Sequence, residues 1–239
     1  NAAINIVPKP TYFVSMDYSF FSKGGKYNVD HIVKKVQASY FILNKNNPGL
    51  EFDTAKGMYI DKRPNVNLQY RELYKFTKVV ESVREKNLTQ GFSSDWKGFC
   101  HGYNSGFCAI QLAILLGYTE IVLLGFDLGF DQGVGGETHF HNNYGTNTNI
   151  RTKIDTFKAH LMDSIRKYKP ANVADNNSSP IIFNTVTPGP LETIMPKVTL
   201  ENVLNMNLVQ KLVSVAHTLC PLSVKQKDYI IVAYYTLNT

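Results

Sequence analysis

Cysteine is scarce in this chain. Cys100, Cys108 and Cys220 are the only three in 239 residues, so they cannot all pair internally, and their spacing fits no zinc pattern. They read as small core residues, and a reducing, cytoplasmic interior is the expected compartment. Tryptophan is scarcer still, with Trp96 alone. No apolar run reaches the roughly 20 residues of a membrane-spanning helix, so no transmembrane segment is expected, although peripheral membrane contact is compatible with the composition. The opening residues, Asn1-Ala-Ala-Ile-Asn-Ile-Val, carry neither a methionine nor a targeting pattern.

The most informative absence is local. Of 25 Lys and Arg, 15 lie in residues 1–97 and 10 in residues 151–239, and none lies between 98 and 150. The middle stretch holds Glu120, Asp127, Asp131 and Glu137 instead. A nucleic-acid protein would concentrate its basic residues on the binding surface, so the net charge of +6 reads as a solvated face and no nucleic-acid partner is expected. Any phosphate held by the middle stretch needs backbone N–H groups, Asn or Ser side chains, a metal, or basic residues from elsewhere such as Arg63, Arg151 or Lys153.

What the chain does contain is a globular composition, 44% hydrophobic and 18% charged, and one strongly patterned segment from His101 to Asp127. Asn104 and Ser105 are N-cap residue types, and Gly106 opens a helix with Ala109, Leu112, Ala113 and Leu116 along an apolar stripe. Gly117 is placed as the glycine that stops it. Ile121 to Leu124 is a short apolar run of the kind buried in a parallel sheet, and Gly125-Phe126-Asp127 carries the chain off its carboxyl end. Helix N-termini and strand carboxyl ends are where open α/β sheets bind ligands, so this segment offers an anion-accepting helix start and a carboxylate on one edge.

The flanks read as α/β as well. Strands are expected at Tyr12–Met16, ending at Asp17, at Ser39–Leu43, at Met58–Ile60 and at Pro180–Asn184. A short helix capped by Asn28 carries Ile32, Val33 and Val36 inward. A long helix from Asn65 through Lys86 follows from the spacing of Tyr70, Leu73, Thr77, Val80 and Arg84. Trp96 sits in a polar loop, Gly91–Gly98, as a lid over the core or a ligand contact. Gly129–Asn149 is an irregular, glycine- and asparagine-rich loop with His139 and His141, placed over the proposed site. Helices follow at Ile150–Lys169, with Ile154, Phe157, Leu161, Ile165 and Tyr168 inward, and at Thr199–Leu219. Ser223–Thr239 suits helix or strand equally.

The motif NSGFCAIQLAILLGYTEIVLLGFDL resembles the centre of a bacterial and phage glycosyltransferase-like superfamily. Its members include lipooligosaccharide sialyltransferases and motility-associated flagellin glycosyltransferases, and archaeal hydroxymethylpterin pyrophosphokinase-like proteins are similar. The likeness stands on Asn104-Ser105-Gly106, Leu116-Gly117-Tyr118 and Gly125-Phe126-Asp127. Asp17-Tyr-Ser-Phe-Phe21 resembles a nucleotide-binding segment in which the sialyltransferases carry Asn, and Thr138-His-Phe-His141 resembles the region of their catalytic histidine.

The resemblance implies a Rossmann-like, mostly parallel sheet flanked by helices over residues 1–200, with a helical C-terminal appendage over 201–239. It implies a nucleotide site drawn from Asn1, Asp17, Asn104, Ser105, Gly106, Gly125 and Asp127, and a catalytic base at His139 or His141, with Tyr144 competing for the role. The family opens with a strand and a Gly-rich phosphate loop, which would have to lie upstream of Asn1. The implied reaction transfers a sugar from a nucleotide-activated donor, a CMP-sugar by likeness, to a glycan or protein hydroxyl. No metal is required for it. The alternatives are a magnesium-dependent pyrophosphokinase-like enzyme and a non-catalytic nucleotide- or glycan-binding module.

Overall fold

The computed structural model describes residues 10–16, 36–44, 50–55, 58–61, 77–82, 91–93, 95–102, 104–118, 120–124, 126, 148–168, 181–184, 191–199, 201–203, 205 and 229–233. Its frame is two three-stranded sheets, each wholly parallel. In the first, β1 (Tyr12–Ser15), β2 (Ala38–Asn44) and β5 (Thr77–Ser82) stand in the order β1-β2-β5. In the second, β6 (Glu120–Leu124) lies between β7 (Ile181–Asn184) and β8 (Tyr229–Ala233). Between β2 and β5 in sequence comes an antiparallel hairpin of β3 (Leu50–Asp53) and β4 (Met58–Asp61). Two helices complete the described elements, α1 (Ser105–Leu115) and α2 (Thr148–Lys167). Parallel strands with helices make this an α/β fold.

Both parallel sheets bury their central strands on two sides. Along β2, Ser39, Tyr40, Phe41, Ile42 and Leu43 are all buried, and in β6 Ile121, Val122 and Leu123 are buried in succession. That is the pattern of strands covered on both faces, where alternation disappears from the sequence. The polar members of the first sheet are accommodated individually. Ser82 is fully buried and donates its hydroxyl to the Leu43 carbonyl at 3.0 Å.

Helix α1 is the shared element. Phe107, Ile110 and Ala113 pack with Ile121 and Leu123 of β6, Ile182 of β7 and Phe157, Leu161 and Ile165 of α2. Cys108 and Leu112 face the other way, against Tyr40, Ile42 and Val80 of the first sheet, with Leu115 and Leu116 extending that contact. The helix has no acidic residue in its first turn and no basic residue in its last. Its dipole is therefore uncompensated by charge, and burial of its two faces supplies the stabilisation, about 1.5–3 kcal/mol for each large apolar side chain.

The helix runs antiparallel to β1 along its whole length. At one end Met16 N–H donates to Ser105 Oγ at 3.3 Å, and at the other the Tyr118 and Tyr12 hydroxyls meet at 3.4 Å. Gly117 has φ +85, and its N–H bonds the Ile114 carbonyl, which makes it the expected terminating glycine.

Two expectations meet a different structure. Thr77–Ser82 is β5, in parallel register with β2 from Ser39↔Thr77 to Asn44↔Ser82, so the helix read from Asn65 through Lys86 does not continue across these residues. Val79 and Val80 are β-branched and pair into a sheet whose neighbour is already apolar on both faces, which outweighs a chance helical spacing. Tyr229–Ala233 is a strand, paired in parallel with β6 from Glu120↔Tyr229 to Leu124↔Ala233, rather than part of a helical appendage. The strand β3 was not expected. By contrast, Phe157, Leu161 and Ile165 of α2 are buried as read, and Thr199 caps the start of the next helical turn through its hydroxyl, which accepts from Asn202 N–H at 3.1 Å. The expected helix at Asn28–Val36 lies outside the described residues apart from Val36 itself.

Candidate functional site

The candidate site begins where β1 ends and α1 starts. Asn104 is the N-cap, with extended backbone (φ −153, ψ 136). Its Oδ1 accepts from Gly106 N–H at 2.6 Å and Phe107 N–H at 3.4 Å, and its carbonyl accepts from Cys108 N–H at 3.1 Å. Sequence reading left Asn104 and Ser105 both eligible for this role, and the structure gives it to Asn104. The first-turn N–H groups proposed for an anion are thereby already engaged. A phosphate arriving there would compete with a side-chain oxygen rather than meet empty donors.

Ser105 is freed from capping. Its hydroxyl oxygen accepts from the Met16 N–H, which ties the carboxyl end of β1 to the first residue of the helix. A hydroxyl that accepts one hydrogen bond still has its own proton to donate. Because β6 follows α1 directly and returns along it, the carboxyl ends of β1 and β6 and the N-terminus of α1 share one edge.

Behind that edge runs a strap, residues 98–102, laid along α1. Phe99 enters the cluster with Val80 and Leu112, while the next residue, Cys100, enters the opposite cluster with Phe107 and Ile110. The strap thus follows the seam between the two faces of the helix. Gln111 holds it there. Fully buried, it accepts from Ser93 N–H at 2.8 Å and Cys100 N–H at 3.2 Å through Oε1, and donates Nε2–H to the Cys100 carbonyl at 3.1 Å. Gly102, at φ +56, lies so close to the Phe107 ring that a Cβ would come within 1.9 Å of Cδ1. These two residues set the approach to Asn104, and sequence reading singled out neither. A glutamine inside an apolar helical segment was the available signal.

The cysteines behave as core residues. Cys100 and Cys108 are free and buried. Burial, and secondarily the neighbouring Cys100, pushes the Cys108 thiol above its ordinary range. Its Sγ–H points to the His101 carbonyl at 3.1 Å. A neutral buried thiol of this kind is unreactive.

Of the expected site residues, Asn104, Ser105 and Gly106 stand together at this edge. Asn1, Asp17, Gly125, Asp127, His139, His141 and Tyr144 lie outside the described residues, as does the expected irregular loop apart from its last two residues, which belong to α2. Among the described residues no group of three or more His, Cys, Asp or Glu could hold a metal ion, and no helix is long and apolar enough to cross a membrane. No family model, curated protein or solved structure matches the chain.

Proposed function

We propose that this protein is a glycosyltransferase, sialyltransferase-like, with a Rossmann-like nucleotide-binding edge. It transfers a sugar from a nucleotide-activated donor, a CMP-sugar, to a glycan or protein hydroxyl. The observation that carries the reading is the Met16 N–H to Ser105 Oγ hydrogen bond. It ties the residue before Asp17-Tyr-Ser-Phe-Phe21 to Asn104-Ser105-Gly106, two segments that the family resemblance implies for one nucleotide site, although 89 positions separate the bonded residues. Asp17 is the next residue after Met16, and Asp127 the next after Phe126 of the β6 strand exit.

Three tasks define the chemistry: stabilising the leaving phosphate, deprotonating the acceptor hydroxyl, and orienting the sugar between them. In this reading Ser105 donates its hydroxyl proton to a phosphate oxygen while the α1 dipole favours the anion. Asp17 and Asp127 hold ribose hydroxyls or the base amine. His139 or His141 is the general base, since an imidazole titrates near neutrality.

The test is thermal denaturation with cytidine nucleotides. CMP should raise the midpoint by a few degrees, corresponding to about 2.7 kcal/mol at a hundredfold excess over Kd. Ser105→Ala and Asp127→Ala should each reduce the shift. No shift with any nucleotide, with or without magnesium, sinks the transferase reading, and a magnesium-dependent shift confined to purine triphosphates replaces it with the pyrophosphokinase.

A further inference from the structure

We propose that Trp96 is a stacking platform for a saccharide ring, a subsite for an oligosaccharide acceptor. The ring itself is the first observation. Trp96 is 43% exposed, yet it is offset-stacked on the fully buried Phe99, with planes 18° from parallel and centroids 6.5 Å apart. One edge of the core therefore fixes an aromatic surface that remains largely open to solvent.

The loop that presents it is pre-organised. Ser93 Oγ accepts from Asp95 N–H at 3.2 Å and donates to the Asp95 carbonyl at 2.9 Å. Asp95 Oδ1 accepts from Gly98 N–H at 2.7 Å, and Ser93 N–H is held by Gln111. A loop closed by its own hydrogen bonds and anchored to a buried helix loses little entropy when a ligand binds.

The choice of occupant rests on the transferase reading above and on the size of the surface. Among the described residues the only other exposed large hydrophobic side chain is Ile181, on β7 of the second sheet. A single ring is far smaller than the contiguous apolar patch of a protein interface. It does match one sugar ring, whose C–H face meets the electron-rich indole while its hydroxyls reach a polar rim. Asp95 and Lys97, both exposed, flank Trp96 in the chain and carry a carboxylate and an ammonium.

Trp96 is the sole tryptophan, so indole fluorescence reports on this position alone. The whole chain would be titrated with neutral di- to tetrasaccharides ending in glucose, galactose or N-acetylglucosamine, with thermal shifts by CMP measured in parallel. The expected result is a saturable fluorescence change with at least one saccharide. By ligand-observed NMR, Trp96→Ala should weaken its binding about tenfold while Trp96→Tyr retains most of it. No response to any saccharide overturns the platform, as does a response to CMP alone, which would make the ring a base-stacking surface. Unchanged saccharide binding by Trp96→Ala overturns it too, whatever that variant's stability. A saccharide response without a CMP shift keeps the platform and removes the transferase; a CMP shift without a saccharide response does the reverse.

Discussion

Gln111 makes three hydrogen bonds from a site with no exposure to water, and each partner is a backbone group of Ser93 or Cys100. Replacing it with leucine preserves approximate volume but removes a side-chain acceptor from two N–H groups and a donor from one carbonyl. Gln111→Leu should cost about 2–4 kcal/mol, since a buried unsatisfied group costs about 1–3 kcal/mol, and chemical denaturation would register this as a lower midpoint. An unchanged midpoint would mean that the strap is held by Phe99 and Cys100 alone. Cys108 gives a residue-scale prediction in pH. Its thiol is raised by burial from an ordinary value of 9.0, so the unfolded chain releases that proton first as pH rises. Stability from this residue is complete below the unfolded value and falls above it, by about 1.4 kcal/mol per pH unit. Comparing wild type with Cys108→Ala between pH 8 and pH 10.5 (roughly the unfolded titration range) isolates this slope. Parallel curves for the two proteins would contradict it.

At the scale of elements, α1 is the best test of how local chemistry becomes a site. Asn104→Ala removes the side-chain acceptor from two first-turn N–H groups and should destabilise by about 1 kcal/mol. It also vacates the donors that an anion would use, so the same variant should lose thermal midpoint yet keep or improve its CMP shift. A lost shift would show that Asn104 itself contacts the nucleotide. The helix was legible in the sequence because its start, stripe and stop are all local signals: Asn104, Leu112 and Gly117. So was α2, whose buried Phe157, Leu161 and Ile165 recur every four residues. Strand β5 was not, because its pairing with β2 leaves no local mark, and Thr77 and Val80 happened to continue a helical spacing begun at Tyr70. Strand β8 was undecidable for a related reason. Tyr-Ile-Ile-Val-Ala acquires its conformation from β6, more than a hundred residues away, and nothing local arbitrates. In the candidate site, the cap and the serine were readable, whereas the Met16 N–H that reaches Ser105 is a backbone group and leaves no mark in side-chain pattern.

At the scale of the whole molecule, the two parallel sheets belong to different stretches of chain, yet one eleven-residue helix contributes to the core of each. Leu112, on the side facing the first sheet, is 2% exposed. Leu112→Ala should cost about 2–5 kcal/mol and shift unfolding followed by any probe to the same degree. Two resolved transitions, with only one of them moved, would show the sheets melting separately. The consequence concerns cooperativity. A helix with solvent on one side can fray from its sheet while the rest persists. This helix cannot leave one sheet without opening a face that the other sheet depends upon. Its amide hydrogens from Ile110 to Leu115 should therefore exchange only through global opening, making the shorter of the two described helices the slowest-exchanging segment among the described residues.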